Sequence, residues 1–164
     1  MKKFIPILLI LALGAFLRFY KITTVPPSLS HDEVAIAYNA YSILKTGKDE
    51  YGISFPLLFR SFDDFKLPGM VYATVPSVAL FGKSEMGARF PSAFLGTLTI
   101  LMVYLTILEL TRGHRLGTSF ALSSAFFLAI SPWHINFSRQ LFESNGALSV
   151  LRTGVYFLLR SNRN

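Results

Sequence analysis

The chain has 164 residues, of which 52% are hydrophobic and 15% charged, with a formal net charge of +7. An ordinary globular domain is about one quarter charged, so this composition predicts an integral membrane protein. The basic residues stand singly or in pairs at the ends of apolar runs, which is typical of membrane topology signals and argues against a nucleic-acid-binding face. Cysteine is absent, which excludes disulfides and thiolate metal sites.

A first membrane span is predicted at residues 4–20, after Lys2 and Lys3. A cleavable signal peptide is the alternative, but no small-x-small cleavage site follows the apolar run. The run ends instead in a collar of basic and aromatic residues, in which Arg18 is expected to snorkel toward the membrane surface. This pattern favours an uncleaved helix with its N-terminus in the cytoplasm.

A second helix is predicted to begin after the break at Pro26–Pro27. Ser30 is the expected N-cap and Glu33, three residues later, its capping-box partner, while Gly47 ends the helix. Because this helix is short and polar at its ends, we expect it to lie in the outer membrane interface.

The following segments are a loop at residues 48–66, with a short extended piece at 53–59, and a helix at 67–82. The helix carries proline and glycine and is short for a span. The basic N-terminus and the basic turn at 112–115 both belong in the cytoplasm, so an even number of crossings must separate them. We therefore predict that residues 67–82 do not cross the bilayer.

Further spans are predicted at 90–110, 116–131 and, less regularly, 146–159. The outer loops are then residues 21–89 and 132–145. The predicted fold class is an all-α integral membrane protein, a single domain over residues 1–164, with about four transmembrane helices and interfacial juxtamembrane helices in the first outer loop.

Charged residues that could form a site are concentrated in these two outer loops. A carboxylate base beside a cation suits glycosyl or phosphoryl transfer from an anionic lipid carrier, and a divalent cation (Mg²⁺, Mn²⁺ or Ca²⁺) could bridge carboxylate and phosphate. The acids are Asp32, Glu33, Asp63, Asp64 and Glu143; the cations are Lys66 and Arg139; and the possible donors or ligands are His31 and His134.

Most of these residues also have a structural interpretation. Asp32 and Glu33 suit a helix N-terminus, Lys66 an interfacial anchor, Asp63 and Asp64 a solvated turn, and His134 an interface residue beside Trp133. Arg139 and Glu143 have the spacing of an ion pair within one helix. A small non-catalytic membrane protein is therefore the alternative function, and a transporter is a third, although no predicted span carries a central charge apart from Arg152.

Four blocks in chain order nevertheless resemble the N-terminal part of the GT-C membrane glycosyltransferases, specifically the protein O-mannosyltransferase and aminoarabinose-transferase-like superfamily. The first two blocks cover residues 30–35 and 64–69, the third covers 81–93, and the fourth combines 131–134 with Arg139 and Glu143. Members carry more spans than this chain, so the resemblance implies an N-terminal portion of a longer enzyme.

The resemblance implies a specific set of roles. Asp32 would be the catalytic base, with Glu33 beside it, and Lys66 would contact the carrier phosphate. Glu143 would be a metal or acceptor partner, with a tentative metal site formed by Asp32 and Glu143, and further substrate contacts are expected from Asp64, Arg139, His134 and His31. The expected donor is a polyprenyl-phosphate-linked sugar from the membrane, the acceptor is a protein, lipid or glycan, and the location is the outer face of a bacterial plasma membrane.

Overall fold

The structure, a computed structural model, describes residues 4–61 and 64–162. Predictions that concern Lys2, Lys3 and Asp63 lie outside these residues. The described elements are α1 (Ile5–Phe19), α2 (His31–Thr46), β1 (Phe59–Ser61), β2 (Asp64–Lys66), α3 (Pro68–Phe81), α4 (Glu85–Leu110), α5 (Gly117–Ile130), α6 (Pro132–Arg139) and α7 (Glu143–Ser161).

The long helix α4 is the central element, and α1, α3, α5, α6 and α7 all pack against it. Its N-cap residue is Ser84, whose side chain accepts a hydrogen bond from the Gly87 amide. One apolar core joins α4 to α1 and α5 around Ile100, and a second joins α2, α3 and β1 around Phe59 and Val71. This second core, called the juxtamembrane core, also includes Ala88 of α4 and Leu141, so it joins the predicted interfacial helices to the rest of the chain.

The apolar helices only partly match the predicted spans. Within the described residues, α4 is long and apolar enough to cross a membrane. Helices α5 and α6 meet at a 58° bend, and together they would provide a second crossing if they form one broken span. Helices α1 and α3 are apolar but shorter. The all-α character is thus confirmed, with one or two candidate membrane spans, whereas four transmembrane helices are not confirmed.

The polar and aromatic loop before α3 ends in a small antiparallel hairpin. Strand β1 pairs with β2 so that Phe59 faces Lys66 across the ladder. The predicted extended piece at 53–59 is therefore mostly wrong, since the strand begins only at Phe59. The hairpin delivers Lys66, which is 8% exposed, into the interior directly before α3.

The predicted start of α2 is observed in full. Ser30 accepts a hydrogen bond from the Glu33 amide, the Glu33 carboxylate accepts one from the Ser30 amide at 2.9 Å, and the helix closes on left-handed Gly47 at φ 69°. These local bonds fix where Asp32 and Glu33 stand on the first turn.

Arg18 does not snorkel to the surface as expected. It is completely buried and donates to the carbonyls of Gly14 at 2.9 Å and Ala129 at 3.2 Å, with the Nδ1 atom of His134 2.6 Å from its Nη2. The expectation was wrong because α5 and α6 offer acceptors inside the bundle, so the guanidinium need not reach the headgroups to find partners.

Candidate active site where three helices begin

A cavity of about 230 Å³ lies where the first turns of α2 and α7 meet the residues just before α3. Three helices start around it, and the N-terminus of each helix carries a partial positive charge. The cavity is lined by Asp32, Ile36, Lys66, Leu141, Phe142, Glu143 and Ser144. Residues from both predicted outer loops therefore share one cavity.

Lys66 lies between two carboxylates at this cavity. Its ammonium nitrogen is 2.7 Å from an Asp32 oxygen and 2.8 Å from an Asp64 oxygen. The pKa of Lys66 is raised mainly by its hydrogen bond to Asp32 and next by its hydrogen bond to Asp64. The hydrogen bond that Lys66 donates lowers the pKa of Asp64. Lys66 is thus held as a cation, with Asp32 half exposed on its cavity side.

Glu143 links the second predicted outer loop to the first. Its carboxylate accepts a hydrogen bond from the Leu67 amide at 2.5 Å, across 76 residues of sequence. Leu67 is the N-cap residue of α3 and has no side-chain cap of its own. The first residue of α7 therefore satisfies a backbone donor at the start of α3, which joins the two helix ends beside the cavity.

Glu33 does not line the cavity and is completely buried. Its carboxylate accepts from the Ser30 amide, from Arg89 Nε at 2.9 Å and from the Leu141 amide at 3.1 Å. A carboxylate without solvent access cannot meet a substrate in this arrangement. The geometry favours a positioning role over the direct catalytic role expected from sequence, because Glu33 holds Leu141, which lines the cavity.

Arg89 is the partner that sequence reasoning missed. This buried residue of α4 also donates to the carbonyls of Ile22, Pro26 and Ser28, at 2.9, 2.8 and 2.6 Å. It therefore fixes the linker between α1 and α2 as well as the start of α2. The available signal was a single arginine near the beginning of a long apolar run, since a buried charge needs a partner.

Two other predicted substrate contacts are engaged elsewhere. Arg139 donates to the carbonyls of Leu17 at 2.8 Å and Val25 at 2.7 Å, and the buried His134 contacts Arg18. Arg139 ends α6 whereas Glu143 begins α7, so the two do not form the intrahelical ion pair considered as an alternative. His31 is the exposed first residue of α2, beside Asp32.

A divalent cation fits this arrangement poorly. Among residues 4–61 and 64–162, no three His, Asp or Glu side chains come together as metal ligands. Asp32 already contacts the Lys66 ammonium, and Glu143 already binds the Leu67 amide. A hard cation takes about six oxygen ligands, so the described residues would supply only a minority of its shell.

Comparison with known proteins identifies the family of the chain. No curated protein and no solved structure matches the chain significantly. A family model described as dolichyl-phosphate-mannose-protein mannosyltransferase matches residues 66–162, which is more than half of the chain and begins at Lys66. The chain therefore belongs to the dolichyl-phosphate-mannose-protein mannosyltransferase family, whose members are membrane glycosyltransferases of the GT-C type.

Proposed function

We propose that this chain carries the donor site of a glycosyltransferase that moves a sugar from a polyprenyl-phosphate carrier to a hydroxyl acceptor on the outer membrane face. The observation that carries the proposal is the contact between Asp32 and Lys66, 2.7 Å apart at a cavity that Glu143 also lines. It brings a potential base and a potential phosphate ligand within reach of one bound substrate.

Lys66 is suited to the carrier phosphate. It is a buried cation whose charge is maintained by neighbouring carboxylates, and it precedes the N-terminus of α3. The starts of α2 and α7 line the same cavity, and helix N-termini stabilise anions. In transfer, the phosphate gains negative charge as it leaves the anomeric carbon, and these groups stabilise that charge.

Asp32 is suited to activate the acceptor. As the acceptor oxygen attacks the anomeric carbon, the Asp32 carboxylate takes the hydroxyl proton, and the bond to the carrier phosphate breaks with its electron pair going to the phosphate. Asp32 keeps one side open to the cavity, whereas the neighbouring Glu33 is buried. We assign Glu33 to positioning and Asp32 to the chemistry.

The proposed topology follows the charge pattern. The N-terminus and the basic turn at 112–115 lie in the cytoplasm, and the cavity lies at the outer face of a bacterial plasma membrane. The acceptor is a protein, lipid or glycan hydroxyl. In this arrangement α1, α4, the α5–α6 pair and α7 are the four membrane segments, and α2 and α3 lie at the surface.

The test uses Asp32→Asn with Asp64→Asn as its matched control, because both change one carboxylate that contacts Lys66 to an amide. Membranes containing each variant are supplied with a radiolabelled polyprenyl-phosphate sugar. We expect Asp32→Asn to lower transfer by about 10²- to 10⁴-fold, the usual contribution of a general base, with Asp64→Asn much closer to the parent.

A second arm measures the binding of the unlabelled carrier lipid. Lys66→Ala should weaken that binding, and Lys66→Arg should restore part of it because the positive charge is retained. An active Asp32→Asn protein, or unchanged binding in Lys66→Ala, would contradict these assignments. Equal carrier binding by all variants would instead favour a non-catalytic membrane protein.

A further inference from the structure

A second concave surface lies on the opposite side of α2 from the candidate active site. It is a groove of about 210 Å³ between α2, the end of α3 and the start of α4, lined by Leu29, Val34, Ala37, Tyr38, Val78, Gly82, Lys83, Ser84 and Glu85. Val34 and Tyr38 stand two positions after Asp32 and Ile36, which is a rotation of about 200° around a helix. The two concave surfaces therefore do not merge.

The walls of this groove are apolar and partly open. Val34 is 47% exposed and Tyr38 51%, while Val78 closes the floor. Small-molecule sites usually measure roughly 300–1,000 Å³. A groove of this size therefore suits one segment of a larger apolar ligand, such as part of an acyl chain, more than a whole compact molecule.

Lys83 lies in the groove lining, and a second lysine, Lys45, stands near it but outside the lining. The ammonium nitrogen of Lys83 lies 4.7 Å from the centre of the Tyr41 ring, and that of Lys45 lies 5.9 Å from the same centre. Two like charges at one aromatic ring repel each other, and an anion between them would relieve that repulsion. Glu85 is the opposing charge in the lining. Lys83, Lys45 and Glu85 together therefore carry a net charge of one positive unit.

The position of the groove along α4 defines its depth relative to the membrane. It adjoins the N-terminus of α4, the helix best suited to cross the membrane, and the exposed apolar side chains of Leu80 and Phe81 stand beside it. The end of a spanning helix lies where lipid phosphates meet acyl chains. Apolar walls with cations at this height match the amphipathic form of a membrane lipid.

We propose that this groove binds an anionic phospholipid of the surrounding bilayer, with one acyl chain along Val34 and Tyr38 and the phosphate beside Lys83, on the side of the groove nearest Lys45. The site is separate from the carrier-phosphate site at Lys66 and does not depend on catalysis. The bound lipid would hold α2 against the α3–α4 turn.

The test is fluorescence quenching by lipids with brominated acyl chains. Trp133 is the single tryptophan, so Tyr38→Trp in a Trp133→Phe background places one reporter in the groove. The full chain is reconstituted in phosphatidylcholine vesicles containing a few per cent of brominated phosphatidylglycerol or, separately, brominated phosphatidylcholine. We expect enrichment of the anionic lipid at the reporter, by roughly fivefold for each lysine that contacts it.

Lys83→Gln should lower that enrichment of the anionic lipid by roughly fivefold. Lys48→Gln is the matched control, because it removes the same charge from an exposed residue outside the groove lining. Circular dichroism of each variant verifies that helix content is retained. Equal quenching by both lipids, an equal loss with Lys48→Gln, or preferential displacement of the brominated lipid by a polyprenyl phosphate would each overturn the proposal.

Discussion

At the scale of single residues, the cation of the candidate site, Lys66, is already paired with carboxylates. The Lys66 ammonium is shared by Asp32 and Asp64, and the cavity is bordered by a third carboxylate, that of Glu143. An incoming phosphate must therefore compete with Asp32 for Lys66. The residue proposed as the base also limits how tightly the donor binds.

Asp32→Asn is accordingly expected to change binding and transfer in opposite directions. The amide cannot pair with Lys66 as a carboxylate does, so carrier affinity should rise by up to about fivefold, the equivalent of a partly exposed ion pair of at most about 1 kcal/mol. Transfer should still fall, because the base is absent. Equilibrium binding of the carrier lipid to parent and variant measures the first effect, and weaker binding by the variant would count against the competition.

The same cluster predicts a plateau in stability against pH. The pKa of Lys66 is raised from its ordinary 10.5, so its contribution is complete below that value and is lost as pH rises through the folded pKa. The pKa of Asp64 is lowered from 3.8, so its contribution is complete above that value and is lost as pH falls through the folded pKa. Between about pH 5 and pH 9, the difference in melting temperature between parent and Asp64→Asn should be constant.

Below that plateau, the difference from Asp64→Asn should shrink, since protonated Asp64 no longer pairs with Lys66. Thermal unfolding followed by circular dichroism at a series of pH values measures it. A difference that varies steadily across the neutral range would show that another titrating group is responsible.

The buried pair of Glu33 and Arg89 should matter more for stability than any exposed charge. Removing one partner of such a pair typically costs about 3–5 kcal/mol, because the other charge stays buried without compensation. We expect Glu33→Ala to lower the melting temperature strongly, and the Glu33→Ala/Arg89→Met double variant to lose less than the sum of the single losses. Glu85→Ala, in the exposed first turn of α4, is the control, and strictly additive losses would contradict the coupling.

Local chemistry explains which residue contacts were predictable. The Ser30–Glu33 capping box lies within one helical turn, so the chain itself contains its complete signal. The Glu33–Arg89 pair spans 56 residues and depends on packing between α2 and α4, which no local pattern records. Arg139 was assigned to the substrate because its position after a predicted exit from the membrane did not reveal the nearby carbonyls of Leu17 and Val25.

At the scale of elements, the contact of α6 with α4 depends on a small residue. A Cβ atom at Gly96 would meet both side-chain atoms of Ser138, and Ser138 is itself fully buried. At Gly154 of α7, by contrast, nothing lies within 4 Å of the equivalent position. Gly96 and Gly154 both lie inside helices, so Gly154 serves as the control for a substitution at Gly96.

Gly96→Ala should destabilise the protein by roughly 1–3 kcal/mol through overpacking against Ser138. Gly154→Ala should be neutral or stabilising by up to about 1 kcal/mol, since alanine favours the helix and meets no neighbour. Thermal unfolding of the two variants measures the contrast. A Gly96→Ala protein as stable as Gly154→Ala would mean that α6 can move away from α4 at little cost.

The pattern of apolar residues predicted where helices occur better than where they begin and end. The run at 116–131 correctly indicated α5, but Ser131 and Pro132 begin another helix, α6, where a loop was predicted. The capping hydroxyl of Ser131 and the proline at the first helical position were the signals for it. Helix α7 begins at Glu143, earlier than the apolar stretch at 146, because Glu143 is fixed at the start of α3.

At the scale of the whole molecule, the proposed topology places the juxtamembrane core outside the bilayer. The chain has no cysteine, so single cysteines report without interference. We expect Lys48→Cys and Lys83→Cys to react with a membrane-impermeant thiol reagent on intact cells, and His114→Cys to react only after lysis. Labelling of His114→Cys on intact cells, or protection of Lys83→Cys, would reverse the orientation or make α3 a crossing segment.

The buried carboxylate of Glu33 also imposes an order on biosynthesis. Glu33 is made 56 residues before Arg89 and 108 residues before Leu141, the two distant partners that it requires. Until both have emerged, burying the charge would be costly, so the nascent α2 must remain in contact with water. In the proposed topology, α2 can therefore dock only after α4 has entered the membrane, and a ribosome stalled before Arg89 should leave α2 open to added protease.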